Sequence, residues 1–134
     1  MPADTAILLV EDSQEQARPF QQLLEHRGYA ITVAENGPQA IAAAQAGQPE
    51  LVIVDLLLVE RGDRMDGYQV IQELRARAST KTVGILAWTG HYVRAQDEIR
   101  ALRLGADAFV SKDVEYGVLE ARIEALIRRR RNAF

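Results

Sequence analysis

Short apolar stretches of strand length alternate with amphipathic stretches of helix length along the whole 134-residue chain. Residues 6–10 and 51–54 contain no polar side chain, which is typical of strands buried on both faces of a sheet. The stretches between such runs carry apolar residues at helical spacing. Because a crossover between parallel strands needs a helix, five repeats of strand then helix predict one α/β domain over residues 1–134, with helices on both faces of a five-stranded parallel sheet.

Turn-forming and capping residues mark several ends of these elements. The segment Asn36-Gly37-Pro38 predicts a capped helix start with proline in the first turn. Gly105 predicts the end of the fourth helix, and Asp113 is a candidate cap for the fifth. The four arginines at 128–131 predict a solvated helix end whose positive charge complements the helix dipole.

Composition excludes several classes of protein. The chain has no cysteine, which rules out a disulfide framework and thiolate metal ligands. A net charge of −3 argues against nucleic-acid binding as the main task. No signal-peptide pattern opens the chain, and its apolar stretches are too short to span a bilayer. We therefore predict a cytoplasmic domain that binds neither nucleic acid nor membrane.

Polar side chains follow four of the five predicted strands. Glu11 and Asp12 follow the first strand, Asp55 the third, Thr89 the fourth and Lys112 the fifth. Taken alone, an acid in such a position is most often a solvated loop residue or a helix cap. Ligands of open α/β sheets bind at the carboxyl ends of the strands, so we expect these side chains to converge on one site.

These residue types indicate phosphoryl-transfer chemistry with a divalent cation. Three converging carboxylates repel one another unless a cation lies between them, and oxygen ligands of this kind suit Mg²⁺. Lys112 is able to neutralise a phosphoryl oxygen, and Thr89 offers a hydroxyl donor. Phosphoryl transfer mainly needs an aligned nucleophile surrounded by positive charge. Asp55 is the predicted nucleophile, since it follows the central strand and carboxylates form aspartyl-phosphates.

Five segments carry a recognisable pattern, namely Leu8 to Ser13, Val52 to Asp55, Asp66 to Tyr68, Trp88 to Gly90 and Gly105 to Lys112. Together they resemble the corresponding segments of two-component response-regulator receiver domains. The resemblance covers nearly the whole chain in the same order and implies a flavodoxin-like fold with strand order 2-1-3-4-5. It also implies that Asp55 accepts a phosphoryl group from the phosphohistidine of a sensor histidine kinase or a phosphotransfer protein.

The resemblance also implies roles for the remaining site residues. Asp12 and Asp55 would ligate Mg²⁺ directly, Glu11 through a water, and the backbone carbonyl of Leu57 would add a ligand. No enzymatic turnover is implied beyond self-catalysed phosphorylation and slow autodephosphorylation. An apolar side chain at Leu57 fails to orient the attacking water, so we predict a long-lived phosphorylated state.

Thr89 and Phe109 resemble the pair that transmits phosphorylation in this family. Movement of the hydroxyl and the ring would alter the face formed by the fourth helix, fifth strand and fifth helix. A stand-alone domain of this kind acts through a protein target bound to that face, passes the phosphoryl group on, or forms a homodimer there.

Two departures from the family pattern affect the predicted site. Asp113 follows Lys112, where the family usually has a proline after a cis peptide bond. A cis bond before another residue costs about 3–4 kcal/mol, so we predict a trans bond. The segment from 56 to 66 is longer than usual and carries Glu60, Arg61, Asp63 and Arg64, which indicates a solvated loop beside the site.

Other functions remain as alternatives. A receiver-like interaction module that does not depend on phosphorylation is the main one, but it does not explain why all five strand-end residues are present. An Mg²⁺-dependent phosphatase with an aspartyl intermediate usually has a second acid where this chain has Leu57. A flavin carrier needs a hydroxyl- and glycine-rich phosphate loop, and the carboxylates of Glu11 and Asp12 would repel a phosphate there.

Overall fold

The computed structural model describes residues 5–58, 65–90 and 94–133. The five strands form one parallel sheet in the order β2-β1-β3-β4-β5, which confirms the predicted flavodoxin-like order and the five flanking helices. The strands are β1 (Ala6–Val10), β2 (Ala30–Ala34), β3 (Leu51–Val54), β4 (Gly84–Thr89) and β5 (Ala108–Ser111). The helices are α1 (Gln14–His26), α2 (Gly37–Gly47), α3 (Gly67–Ala76), α4 (Ala95–Leu104) and α5 (Tyr116–Asn132).

Two apolar layers cover the sheet, one on each face. Side chains of a strand alternate between the faces, so Leu8 and Val10 of β1 pack with α2, α3 and α4, while Ile7 and Leu9 pack with α1 and α5. All four side chains of β3 are buried. With both faces covered, polar groups at the centre of the sheet reach solvent only at the ends of the strands.

Two of the predicted helix ends are found, and one is wrong. Asn36 caps α2 by accepting a hydrogen bond from the amide of Gln39, and Gly105 follows α4 with a φ of 124°. Asp113 does not cap α5, because the chain first makes a turn in which the amide of Val114 donates to the carbonyl of Ser111. The N-cap residue is Glu115.

The end of α5 is largely solvated, as the arginine run predicts, and Arg131 also makes a tertiary ion pair there. The guanidinium of Arg131 donates to both carboxylate oxygens of Glu50 at 2.7 Å and to the hydroxyl of Thr5 at 3.0 Å. Thr5 precedes β1 and Glu50 precedes β3, so α5 returns along the sheet and its last turn meets the amino ends of both strands. Arg131 remains exposed, and its ion pair was not predicted because Glu50 lies far away along the chain.

The start of α3 packs closely against the end of β3. Asp66 caps the helix by accepting from the amide of Gln69, whose side chain accepts in return from the amide of Asp66. The amide of Gly67 donates to the carbonyl of Leu56 at 3.4 Å. A Cβ on Gly67 would lie 2.2 Å from the carbonyl oxygen of Asp55, so only glycine allows this approach.

None of the helices among the described residues is both long and apolar enough to cross a membrane.

Candidate functional site

Three carboxylates meet at the carboxyl ends of two neighbouring strands. Glu11 and Asp12 follow β1, and Asp55 follows β3, which pairs with β1. One carboxylate oxygen from each lies within 4.8 Å of the others. Glu11 is 1% exposed and Asp55 is 5% exposed. Bringing three like charges this close, two of them buried, costs free energy unless positive charge is supplied.

Lys112 brings positive charge to this cluster from the end of β5. Its ammonium donates to Glu11 Oε1 at 2.5 Å and to Asp55 Oδ2 at 3.1 Å. Its backbone amide donates to the carbonyl of Thr89 at 2.6 Å, which ties the segment after β5 to the end of β4. The peptide bond to Asp113 is trans, as predicted, since no peptide bond among the described residues is cis. Lys112 therefore faces the acids without the proline that usually follows it in the family.

Two further side chains surround the ammonium of Lys112. Gln16, in the first turn of α1, accepts a hydrogen bond from it through Oε1. The ring of Trp88, at the end of β4, has its centroid 4.4 Å from Nζ. Gln16 was not among the site residues predicted from the sequence, although its place just after Glu11 and Asp12 puts it at the same edge of the sheet.

Backbone amides hold two of the carboxylates in place. The amide of Ser13 donates to Glu11 Oε2 at 3.2 Å, and the amide of Leu57 donates to Asp55 Oδ1 at 2.9 Å. Each carboxylate therefore has one oxygen on a backbone amide and the other on Lys112. These bonds orient the acids before any ligand is present.

Burial controls the ionisation of Glu11. The pKa of Glu11 is raised from 4.5 to about 7, mainly by burial; the hydrogen bond from the ammonium of Lys112 offsets part of this rise, and the charge of Asp55 adds to it. Additional positive charge nearby would stabilise the ionised form of this carboxyl. The site thus favours a cation beyond the single ammonium.

An open depression of about 780 Å³ gives access to these groups. Besides the acids and Lys112, its lining includes Leu57, whose side chain is 66% exposed, and Trp88. The charged loop residues Glu60, Arg61, Asp63 and Arg64 lie outside the described residues, so their predicted place beside the site stays a prediction.

The two predicted switch residues lie on neighbouring strands of the sheet. Thr89 ends β4 and is buried, and its neighbours Trp88 and Gly90 line the depression beside the acids. Phe109 is half-buried in β5 and lines a different groove, between α4 and α5. Thr89 pairs with Ser111, two residues beyond Phe109 in β5, so Thr89 lies at the edge of the acidic site and Phe109 lies beside it in the groove of α4 and α5.

The donor set fits Mg²⁺. All three acidic side chains offer hard oxygen atoms, and the depression leaves room for water and a phosphoryl group beside them. The predicted carbonyl ligand of Leu57 belongs to a residue that lines the same depression. No cysteine or histidine belongs to this cluster of described residues, in keeping with a hard cation.

Comparison with known proteins gives one consistent family. The family model described as a response regulator receiver domain matches residues 7–124. The transcriptional regulatory protein PcoR of Escherichia coli is 35% identical over 126 residues, which are 94% of this chain and 53% of that protein. The sensory transduction protein RegX3 of Mycolicibacterium smegmatis is 35% identical over 93% of this chain and 51% of its own length. This chain thus spans about half the length of these curated relatives.

Solved structures give the same result. The signal receiver domain of a DNA-binding response regulator (merR) from Colwellia psychrerythraea 34H superposes with a TM-score of 0.82 at 28% identity, over 93% of this chain and 99% of that one. The signal receiver domain of a histidine kinase from Syntrophus aciditrophicus gives 0.81 at 30% identity, over 93% and 91%.

Proposed function

Because this chain belongs to the family of response regulator receiver domains, we propose that it is the phosphoacceptor switch of a two-component or phosphorelay system, with Asp55 as the acceptor. The observation that carries the proposal is the position of the Asp55 carboxylate. It lies 3.1 Å from the ammonium of Lys112 and within 4.8 Å of the carboxylate oxygens of Glu11 and Asp12. A nucleophile with a cation on one side and acidic metal ligands on the other suits phosphoryl transfer.

The proposed reaction needs little covalent work from the protein. An oxygen of Asp55 attacks the phosphorus of a phosphohistidine, the new O–P bond forms, and the P–N bond breaks with the electron pair returning to the imidazole. Lys112 neutralises charge on the phosphoryl oxygens as they approach. Thr89 donates its hydroxyl to another of these oxygens once the group is in place.

Mg²⁺ is the proposed cofactor of this transfer. The residues that would hold it are Asp12 and Asp55, with Glu11 through a water and the backbone carbonyl of Leu57. When bound, the ion supplies positive charge that neutralises the phosphoryl oxygens and lets the three carboxylates stay ionised together. The proposed phosphoryl donor is the phosphohistidine of a sensor histidine kinase or of a phosphotransfer protein. We propose no turnover for the chain itself beyond its own phosphorylation and slow dephosphorylation.

The output surface is proposed to lie on α4, β5 and α5. Ile99 and Leu102 of α4 are 47% and 42% exposed, and Val118 of α5 is 42% exposed. These exposed apolar side chains and the nearby Phe109 support docking of a protein target, or of a second copy, on this face. The names of the curated relatives favour an output in the control of transcription.

An intact-mass experiment tests the proposed function. Purified protein is incubated with a small acyl phosphate, with Mg²⁺ or with excess chelator. One added phosphoryl group is expected in the wild type with Mg²⁺ only, and none in Asp55→Asn.

Asp66→Asn is the matched control for this experiment. It makes the same chemical change at a helix cap where asparagine serves equally well, so it should still gain the phosphoryl group. Absence of an Mg²⁺-dependent adduct in the wild type would favour the interaction module that does not depend on phosphorylation.

A further inference from the structure

We propose that Gln16 and Trp88 are positioning residues for Lys112, which hold its ammonium at a fixed position beside Asp55 for phosphoryl transfer. This inference rests on the proposed function, because it assigns a role within the same site. It concerns side chains that touch the lysine rather than the phosphoryl group.

The contacts of the ammonium account for all of its donors. A lysine ammonium has three N–H groups, and Glu11, Gln16 and Asp55 provide three acceptors. The indole of Trp88, 4.4 Å from Nζ, covers a further side of the group. The side chain of Lys112 is only 15% exposed, so this cation–π contact is partly desolvated and correspondingly stronger.

The four contacts differ in what the reaction does to them. Asp55 becomes the phosphorylated residue, and Glu11 is a proposed metal ligand, so both carboxylates change partners during the reaction. The side-chain amide of Gln16 and the indole ring of Trp88 are neutral and take no part in either event. They are the contacts able to hold Lys112 in one place before and after transfer.

Helix α1 makes this support rigid. Phe20 stacks on Trp88 with ring centroids 4.6 Å apart and an angle of 30° between the planes. Both rings are 6% exposed, so neither turns freely. Gln16 and Phe20 are four residues apart and share one face of α1, which therefore contacts Lys112 directly through the amide and indirectly through the indole.

Lysine needs this support because its side chain is long and flexible. A point charge on four methylene groups has many rotamers, and it must be fixed to act on a developing phosphoryl group. Backbone bonding fixes only the amide of Lys112, to the carbonyl of Thr89. The position of Nζ depends on the side chains around it.

The first test measures the position of the ammonium without phosphorylation. Trp88 is the only tryptophan of the chain, so its fluorescence reports its own surroundings. Removing the ammonium in Lys112→Met is expected to change the emission, and Gln16→Leu is expected to change it in the same direction by a smaller amount. Emission that stays the same in Lys112→Met would overturn the contact, whether or not the protein accepts a phosphoryl group.

The second test measures phosphorylation rates at saturating small phosphodonor with Mg²⁺. Gln16→Leu and Trp88→Leu are each expected to lower the maximal rate about tenfold with little change in the half-saturating donor concentration. Trp88→Phe and Gln16→Glu keep an aromatic face and an acceptor, so they should recover most of the rate. Gln22→Leu, on an exposed part of α1, is the matched control and should leave the rate unchanged.

A double-mutant comparison separates positioning from a general loss of structure. In a Lys112→Met background, Gln16→Leu should cause no further loss of rate, because the group it positions is gone. If Gln16→Leu lowered the rate by the same factor in the Lys112→Met background as in the wild type, the inference would be overturned. Gln16 is exposed, so this comparison stands even if Trp88→Leu fails to fold. A wild type that gains no phosphoryl group refutes the proposed function, and the fluorescence result still decides the contact.

Discussion

Gly67 lets helix α3 begin directly against the backbone of the proposed acceptor. An added Cβ would lie 2.2 Å from the carbonyl oxygen of Asp55 and 2.5 Å from the Cα of Leu56. Backbone atoms are unable to rotate aside as a side chain does, so the helix or the strand end must move. We expect Gly67→Ala to lower the free energy of unfolding by about 2 kcal/mol, measured by urea denaturation. Phosphorylation of Asp55 should slow as well.

Gly117→Ala is the matched control for this change. A Cβ there meets no atom within 4 Å, and the residue lies in the first turn of α5. This variant should be neutral or more stable by up to about 1 kcal/mol, since alanine is the better helix former. Equal losses in the two variants would contradict a steric cause at Gly67.

Leu57 is placed to influence how long the phosphoryl group persists. Its side chain is 66% exposed at the depression that contains Asp55, and it offers no hydrogen bond to a water. We expect Leu57→Asn to lose the phosphoryl group several-fold faster than the wild type, because an amide orients the attacking water. Decay of the purified phosphoprotein, followed by intact mass, measures this. Leu57→Val is the control and should decay as the wild type does; no acceleration in Leu57→Asn would refute the idea.

At the scale of elements, Arg131 joins the end of α5 to the starts of two strands. Its bidentate pair with Glu50 lowers the pKa of that carboxyl below its ordinary value of 4.5. A lowered pKa in the folded state means that the pair stabilises the fold above about pH 4.5 and that this contribution is lost as the pH falls through the folded-state value. We expect Arg131→Met to lower the free energy of unfolding by about 1 kcal/mol at neutral pH.

The pH dependence identifies the ion pair as the cause. The difference between wild type and Arg131→Met should shrink as urea denaturation is repeated at pH values below the ordinary pKa of Glu50. Arg128→Met, at an exposed position of the same helix, should change stability little at any pH. If the loss of stability in Arg131→Met persisted in acid, lost packing would be its cause instead of the lost ion pair.

At the scale of the whole molecule, we expect binding of Mg²⁺ at the acidic site to stabilise the folded chain. The folded chain assembles three carboxylates from two strands, whereas the unfolded chain disperses them. A ligand that binds only the folded state stabilises it, by about 2.7 kcal/mol at a hundred times its dissociation constant. We expect the melting temperature to rise with Mg²⁺, to fall again with chelator, and to lose this response in Asp12→Asn. Sodium chloride at matched ionic strength is the control, and an equal rise with it would argue against a specific site.

The sequence by itself determined the fold and the edge at which the site lies. Buried parallel strands require uninterrupted apolar runs such as residues 51–54, and crossovers require amphipathic stretches, so the order of elements is readable from local patterns. The strand-end positions of Glu11, Asp12, Asp55 and Lys112 follow from that order, because parallel strands end at one edge.

Only the tertiary structure decided which side chains surround Lys112 and where α5 ends. The contacts of Gln16 and Trp88 with the ammonium depend on how α1 is rotated against the sheet, and a helical pattern does not specify rotation to within one side chain. The pair of Arg131 with Glu50 joins residues far apart in the chain. Such contacts depend on how several helices and strands pack together, and no local stretch of sequence specifies that packing.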